Sequence, residues 1–214
     1  MKDVYKTINE KSENEIIINK SRFIGFSAPI NSEEEALKFI EEIKTRHRDA
    51  THNVYAYCIG ENSNIQRFSD DGEPTGTAGI PALEVLKKED LRNVVVVITR
   101  YFGGIKLGSG GLIRAYTKGA KIAVDAGLIV DMTLHIKTKI NIDYTTLGRF
   151  ENFLMTNGLK SEEIEYKEGV VFTLFVEKSK VDEFETDVLN ITNGQAVINY
   201  LDEKHIPLIN GKRV

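Results

Sequence analysis

The residues with the most chemistry to offer lie in two glycine-rich runs. The first is Arg67-Phe68-Ser69-Asp70-Asp71-Gly72-Glu73-Pro74-Thr75-Gly76-Thr77-Ala78-Gly79. Three carboxylates, Asp70, Asp71 and Glu73, bunch around a glycine, and Ser69, Thr75 and Thr77 add hydroxyls. Hard cations such as Mg²⁺ take oxygen ligands of this kind, and paired carboxylates serve acid–base hydrolysis. Asp-Gly and Glu-Pro are also ordinary turn chemistry, and the hydroxyls can serve either a ligand or the turn. The run is long and polar for a mere connector, which favours a functional role, but a specific metal site is not expected.

The second run is Thr99-Arg100-Tyr101-Phe102-Gly103-Gly104-Ile105-Lys106-Leu107-Gly108-Ser109-Gly110-Gly111-Leu112-Ile113-Arg114, in which five of the nine residues from Gly103 to Gly111 are glycine. It joins an apolar strand to the start of a helix. The first N–H groups of a helix are unpaired and point outward, and glycine lets a ligand approach closely. Gly103, Gly104, Lys106, Gly108, Ser109, Gly110 and Gly111 are therefore candidates for holding a phosphate. The run is not a Walker loop, because Ser109 stands where lysine is required. It also misses the dinucleotide fingerprint, because Ile113 occupies the third glycine position. No cofactor is expected. The alternative is a tight turn with close helix packing, which the small-residue stripe Ala115, Gly119 and Ala123 supports.

The same helix carries Arg114, Lys118 and Lys121 at i, i+4, i+7, on one face. With Arg100 and Lys106 upstream, and Arg46 and Arg48 at the end of the first helix, they can form a local basic surface. The plainer reading is a solvated helix face. A phosphate-backbone partner bound there would be released steeply by salt.

His52 lies near the carboxylate run and is a modest candidate. A Cys58–His52 nucleophile pair fails on distance: in a strand the two share a face but stand about 20 Å apart. Cys58, in a Tyr-Ala-Tyr-Cys-Ile run, reads as buried filler. His135 and His205 read as structural or surface residues.

The elements that must position these groups follow from periodicity. Strands are expected at Glu15 to Ile18 and Arg22 to Ile30, His52 to Ile59, Ile65 to Phe68, and Asn93 to Ile98, whose four consecutive valines suit burial on both faces. Ser32 and Glu35 form a capping box for a helix over 33–47. Further helices are expected over 80–88, opened near Pro81, and over 109–126, closed by Gly127 as a left-handed cap. From His135 the order is strand, helix, hairpin, helix, strand: 135–142, a helix ending at Gly158, 164–166 with 170–176, a helix capped by Ser179 and Asp182, and 196–201. That is the split β-α-β-β-α-β unit of ferredoxin-like domains. A boundary near residue 134 divides the chain into domains of 1–133 and 134–214.

The chain has 214 residues, with 41% hydrophobic and 28% charged, enough to bury a core. A net charge of −4 excludes nucleic-acid binding through bulk positive charge and leaves only a local patch. Most of the acidic excess falls after residue 134. The single cysteine allows no internal disulfide and no thiolate zinc site. No run approaches a membrane span, and Met1 to Tyr5 lack the apolar core of a signal peptide, so a cytoplasmic protein without membrane contact is expected.

On Ser21-Arg22-Phe23-Ile24, on Ala50-Thr51-His52-Asn53 with Tyr55-Ala56-Tyr57, and on the two glycine-rich runs, the chain resembles the Impact family in its two-domain, YigZ-type bacterial form. The resemblance covers 18–131, and 138–201 resemble the small second domain of bacterial members. It implies an α/β (α+β) protein: a ribosomal-protein-type first domain similar to a late domain of elongation factor G, followed by a ferredoxin-like domain. It implies translation-associated regulation through RNA, the ribosome or a protein partner, with no established catalytic mechanism; eukaryotic relatives act in translational control. The surface carried over comprises His52, Arg67, Ser69, Asp70, Asp71, Gly72, Glu73, Pro74, Gly76, Thr77, Gly79, Arg100 and Tyr101, with the glycines of the 103–111 loop.

Three functions follow for testing. The first is a regulator that binds RNA, the ribosome or a translation-related protein. The second is a pure protein-interaction module. The third is a metal-assisted hydrolase using Asp70, Asp71, Glu73 and His52. The second domain's Glu168 to Phe175 segment lacks the basic, aromatic signature of RNA-recognition sheets, so RNA is not expected there. Oligomeric state is not legible in the sequence.

Overall fold

Four successive valines, Val94 to Val97, require apolar cover on both sides, and two helical layers supply it. In a computed structural model of the chain, residues 3–60 and 62–214 are described. The strands of the first half are β1 (Val4–Ile8), β2 (Ser12–Ile18), β3 (Ser21–Pro29), β4 (His52–Ile59), β5 (Ile65–Ser69) and β6 (Val94–Tyr101). Its helices are α1 (Glu33–Arg46), α2 (Gly79–Lys88) and α3 (Gly108–Ala126). Five of the strands form one antiparallel sheet in the order β2-β3-β6-β4-β5.

Side chains alternate across this sheet. Phe23, Val54, Ala56, Cys58, Val94, Val96 and Ile98 face α2 and α3. Ile24, Phe26, Ala28, Tyr57, Val95 and Val97 face α1. Each strand that is buried on both faces therefore reads as a continuous apolar run. The strands and helices anticipated here are all present, each shifted by a few residues at most.

α1 begins with Ser32 Oγ accepting the Glu35 N–H at 3.2 Å, while Glu35 Oε2 accepts from Asn31 N at 2.6 Å, one residue earlier than the expected reciprocal bond. Two other expected helix ends differ. Gly127 has φ −79, and the left-handed residue is Leu128 at φ +58. Close approach explains the glycine: a Cβ there would lie 3.0 Å from Ser27 Oγ and 3.1 Å from the Glu10 carbonyl. Ser179 does not cap a helix; its hydroxyl donates to Glu177 Oε1 at 2.6 Å.

The second sheet contains β7 (Ile129–Ile142), β8 (Ser161–Tyr166), β9 (Val170–Glu177), β10 (Val197–Ile209) and β11 (Lys212–Arg213), with α4 (Leu147–Thr156) and α5 (Val181–Ile191) between them. Its antiparallel order β10-β7-β9-β8 is that of the split β-α-β-β-α-β unit. Phe150, Leu154, Phe172, Leu174, Phe184 and Val188 fill the space between sheet and helices. β10 runs well past residue 201 because Glu203 to Leu208 pair with Ile136 to Asp131.

Position 134 falls inside β7, which runs unbroken from Ile129 to Ile142. β1 pairs with β7 from Val4↔Thr133 to Ile8↔Ile129, so the first strand of the chain belongs to the second sheet. Among the described residues, two antiparallel sheets with five α-helices make the architecture mixed α+β. No helix among the described residues is long and apolar enough to cross a membrane. Met1 and Lys2, part of the segment read for a signal core, lie outside the described residues.

Candidate functional site

Both glycine-rich runs leave the same end of the first sheet. His52 at the start of β4 pairs in register with Arg100 near the end of β6. Between β5 and α2, residues 70–78 cross over that end.

The three carboxylates do three different jobs. Asp70 Oδ1 accepts the Ala78 and Gly79 N–H groups at 3.0 and 2.8 Å, and Oδ2 accepts that of Gly76 at 2.8 Å. It caps the first turn of α2, where no adjacent side chain does so. Gly79 is required because a Cβ would sit 2.8 Å from the Ser69 carbonyl.

Asp71, at φ +46, accepts the Asn53 N–H at 2.6 Å on Oδ2 and Lys44 Nζ at 3.1 Å on Oδ1. Its carbonyl accepts from His52 Nδ1 at 2.7 Å, which fixes the proton on that nitrogen. Ser69 Oγ accepts the Asp71 N–H, and Gly72 lies against the His52 ring. Pro74 and Thr77 close the loop through the Pro74 carbonyl, which takes both the Thr77 N–H and hydroxyl.

Glu73 turns inward, its side chain 3% exposed. Its Oε1 accepts from Arg100 Nη1 at 2.6 Å and Tyr116 Oη at 2.7 Å, with His52 Nε2 at 3.7 Å. Burial, then the bond to Glu73, pushes the Tyr116 hydroxyl well above the ordinary phenol range. The two runs therefore meet through a buried ion pair. Cavities of about 210 Å³ and 750 Å³ lie elsewhere, one between β1 and the β3 end, the other in the second half. The carboxylates do not converge, and no group of three metal-ligating side chains occurs among the described residues.

Two residues expected at this surface point away from it. Arg67 faces α1, with Nε 3.7 Å from Glu33 Oε1. Tyr101 also faces the α1 side, its hydroxyl donating to Asp49 and lying 2.9 Å from His47 Nδ1. Successive strand residues point to opposite faces, so Arg100 and Tyr101 cannot share a site.

The 103–111 loop divides between packing and openness. A Cβ on Gly103 would fall 2.0 Å from the Lys20 carbonyl, and one on Gly111 3.0 Å from Leu107 Cβ. Gly104 (φ +83) and Gly108 (φ +69) have nothing around them, and Gly110 meets only Arg114 Nη1, at 3.7 Å. Lys106, Ser109, Arg114 and Lys118 are exposed. α3 starts without a side-chain cap. Lys121 leaves the expected basic stripe, because it pairs with Asp125 at 2.6 Å and Glu89 at 3.1 Å. Arg46 ends α1 and Arg48 follows just beyond it; α1 lies across the sheet from α3, and Arg46 is paired with Glu42 and Glu13. The stripe Ala115, Gly119, Ala123 is fully buried and does the packing expected of it.

Cys58 is buried, and burial pushes its thiol up to about 11, so it is no nucleophile. His135 is buried with Nδ1 on the Thr133 carbonyl, and His205 meets the Tyr5 ring at 5.0 Å. The residues that sequence reasoning did not select are Tyr116, Asn53 and Lys44. Tyr116 was the readable one: a phenol on an otherwise small, apolar helix face must find a buried acceptor.

The role of Asp70 gives a first prediction. Asp70→Ala should cost about 1–2 kcal/mol, as loss of a strong N-cap does, and lower the urea midpoint accordingly. Asp70→Asn should recover part of that loss. Equal stability of Asp70→Ala and wild type would contradict the assignment.

Residues 19–124 match the Impact N-terminal domain, and residues 140–195 match a domain of unknown function, DUF1949. The chain belongs to the IMPACT family. It is 47% identical to the IMPACT family member YvyE of Bacillus subtilis over 194 residues, covering 91% of this chain and 89% of that one. To the IMPACT family member YigZ of Escherichia coli it is 32% identical over 188 residues, covering 87% and 92%. A solved structure described as that of a hypothetical protein superposes with a TM-score of 0.60 at 29% identity, covering 94% of this chain and 99% of the other.

Proposed function

We propose that this chain is a translation-associated regulator that binds the phosphate backbone of RNA, free or within the ribosome, through the 103–118 face. The observation that carries the reading is the pattern of unpaired charge. Lys106, Arg114 and Lys118 are exposed and form no ion pair among the described residues, whereas Lys121, Arg46 and Arg22 are each held by carboxylates. Cations left free on an acidic protein, beside an uncapped helix start, suit an anionic partner. Family membership supports a role in translation. The hydrolase reading loses support because Asp70, Asp71 and Glu73 are each committed to a different structural partner.

Fluorescence anisotropy of a labelled RNA at rising salt tests the proposal. Three phosphate contacts predict a slope of log K against log salt of about −2 for a single strand. Arg114→Glu with Lys118→Glu should weaken binding and flatten the slope. Absence of binding at low salt would overturn it.

A further inference from the structure

Phe102 is 47% exposed, and Ile105 and Ile113, three and eleven residues on, are each 42% exposed. Single exposed apolar residues are ordinary. Phe102 differs in being held. Its ring lies over the Arg100 guanidinium, 5.5 Å from Cζ, and that guanidinium also lies over Phe23 at 5.4 Å. Arg100 is itself buried and fixed by Glu73, and its Nε has no hydrogen-bond partner. The Phe102 N–H donates to Thr51 Oγ1, and Gly103 is wedged against the Lys20 backbone. One ring face is thus seated on a buried cation while much of the ring remains open to solvent. Lys106, four residues on from Phe102, and Lys20, whose backbone packs against Gly103, are both exposed and form no ion pair among the described residues.

We infer that Phe102 is a stacking platform for an unpaired base, and that the RNA bound by this face is single-stranded. The inference rests on the phosphate-binding reading above and adds the strand class. A fixed aromatic flanked by free cations matches a flexible strand, whose bases stack while its phosphates meet lysine and arginine. A duplex keeps its base faces buried in its own stack and can use only the cations. Arg100 acts here as a positioning residue, holding the ring from below.

The test compares a short fluorescein-labelled single strand of RNA with the same strand annealed to its complement. Phe102→Ala should weaken single-strand binding about 5- to 150-fold, the equivalent of ~1–3 kcal/mol for one stacked base, and leave duplex binding within about twofold. Phe102→Tyr should restore it. The chain contains no tryptophan, so Phe102→Trp supplies a sole indole, whose emission should fall on adding the single strand and stay unchanged with the duplex. Equal affinity for the two RNAs, unaltered by Phe102→Ala but lost in Arg114→Glu/Lys118→Glu, would overturn the stacking inference and leave phosphate binding intact. Binding of neither RNA at low salt would overturn both and leave this face to a protein partner.

Discussion

Glu73→Ala should destabilise the fold by about 3–5 kcal/mol, the range for removing one partner of a buried ion pair. The cost comes from what remains. Arg100 is 5% exposed and would keep its charge with no carboxylate beside it, and the Tyr116 hydroxyl would lose its acceptor. Urea unfolding followed by far-ultraviolet circular dichroism measures the effect; at about 1–3 kcal/mol per molar urea, the midpoint should fall by roughly 1–5 M. Glu73→Gln should fall between, because it keeps an oxygen for one of the two donors. Glu73→Ala combined with Arg100→Met should be less damaged than the two single changes added together, since no lone charge is left buried. A Glu73→Ala protein within 1 kcal/mol of wild type would show that the pair is not a structural keystone. The same substitution should also reduce single-strand RNA binding, because Arg100 underlies Phe102.

Gly25→Ala is expected to cost about 3 kcal/mol or more. Gly25 lies in β3 directly beneath α3, and a Cβ there would stand 2.3 Å from the Gly119 carbonyl and 3.0 Å from Ala123 Cβ. Neither contact is with a flexible side-chain end. Overpacking of this kind commonly costs ~1–3 kcal/mol, and a backbone contact places the change at the upper end. α3 must lift from the sheet, which disturbs its contact with Ile98 and displaces Arg114 and Lys118. Circular dichroism melting with a parallel RNA titration would register both losses. Unchanged melting would mean that α3 relaxes freely, against the close fit described.

The fold was legible wherever one face or both faces of an element are buried. Val94 to Val97, the Leu112-Ala115-Tyr116-Gly119 face and the Ser32–Glu35 box each carry a local pattern that the three-dimensional structure repeats. Helix ends were harder to read, since Gly127 is a glycine for packing reasons that lie in Glu10 and Ser27, about a hundred residues earlier. β1 was unreadable as a member of the second sheet, because its partner is equally distant. At the site, the two loops stood out by composition, but their internal roles did not. Adjacent Asp70 and Asp71 look alike in sequence, yet one caps α2 and the other binds Asn53 and Lys44. Which carboxylate turns inward depends on Arg100 and Tyr116, which come from different elements. Strand alternation alone could have separated Arg100 from Tyr101.

The pairing of β1 with β7 carries a consequence for the order in which the chain closes during synthesis. Ile8 pairs with Ile129, about 120 residues later. At roughly 5–20 residues per second, that interval is about 6–24 s. Every strand of the first sheet, and α3 above it, is made before the β7 partner of Val4 to Ile8 exists. Distant pairing must also overcome loop-closure entropy before it is rewarded. Until β7 emerges, β1 therefore has no neighbouring strand and is held to the first half by its bridge to Leu91 and the Arg92 N–H on the Lys6 carbonyl, so it is among the last parts of that half to be fixed.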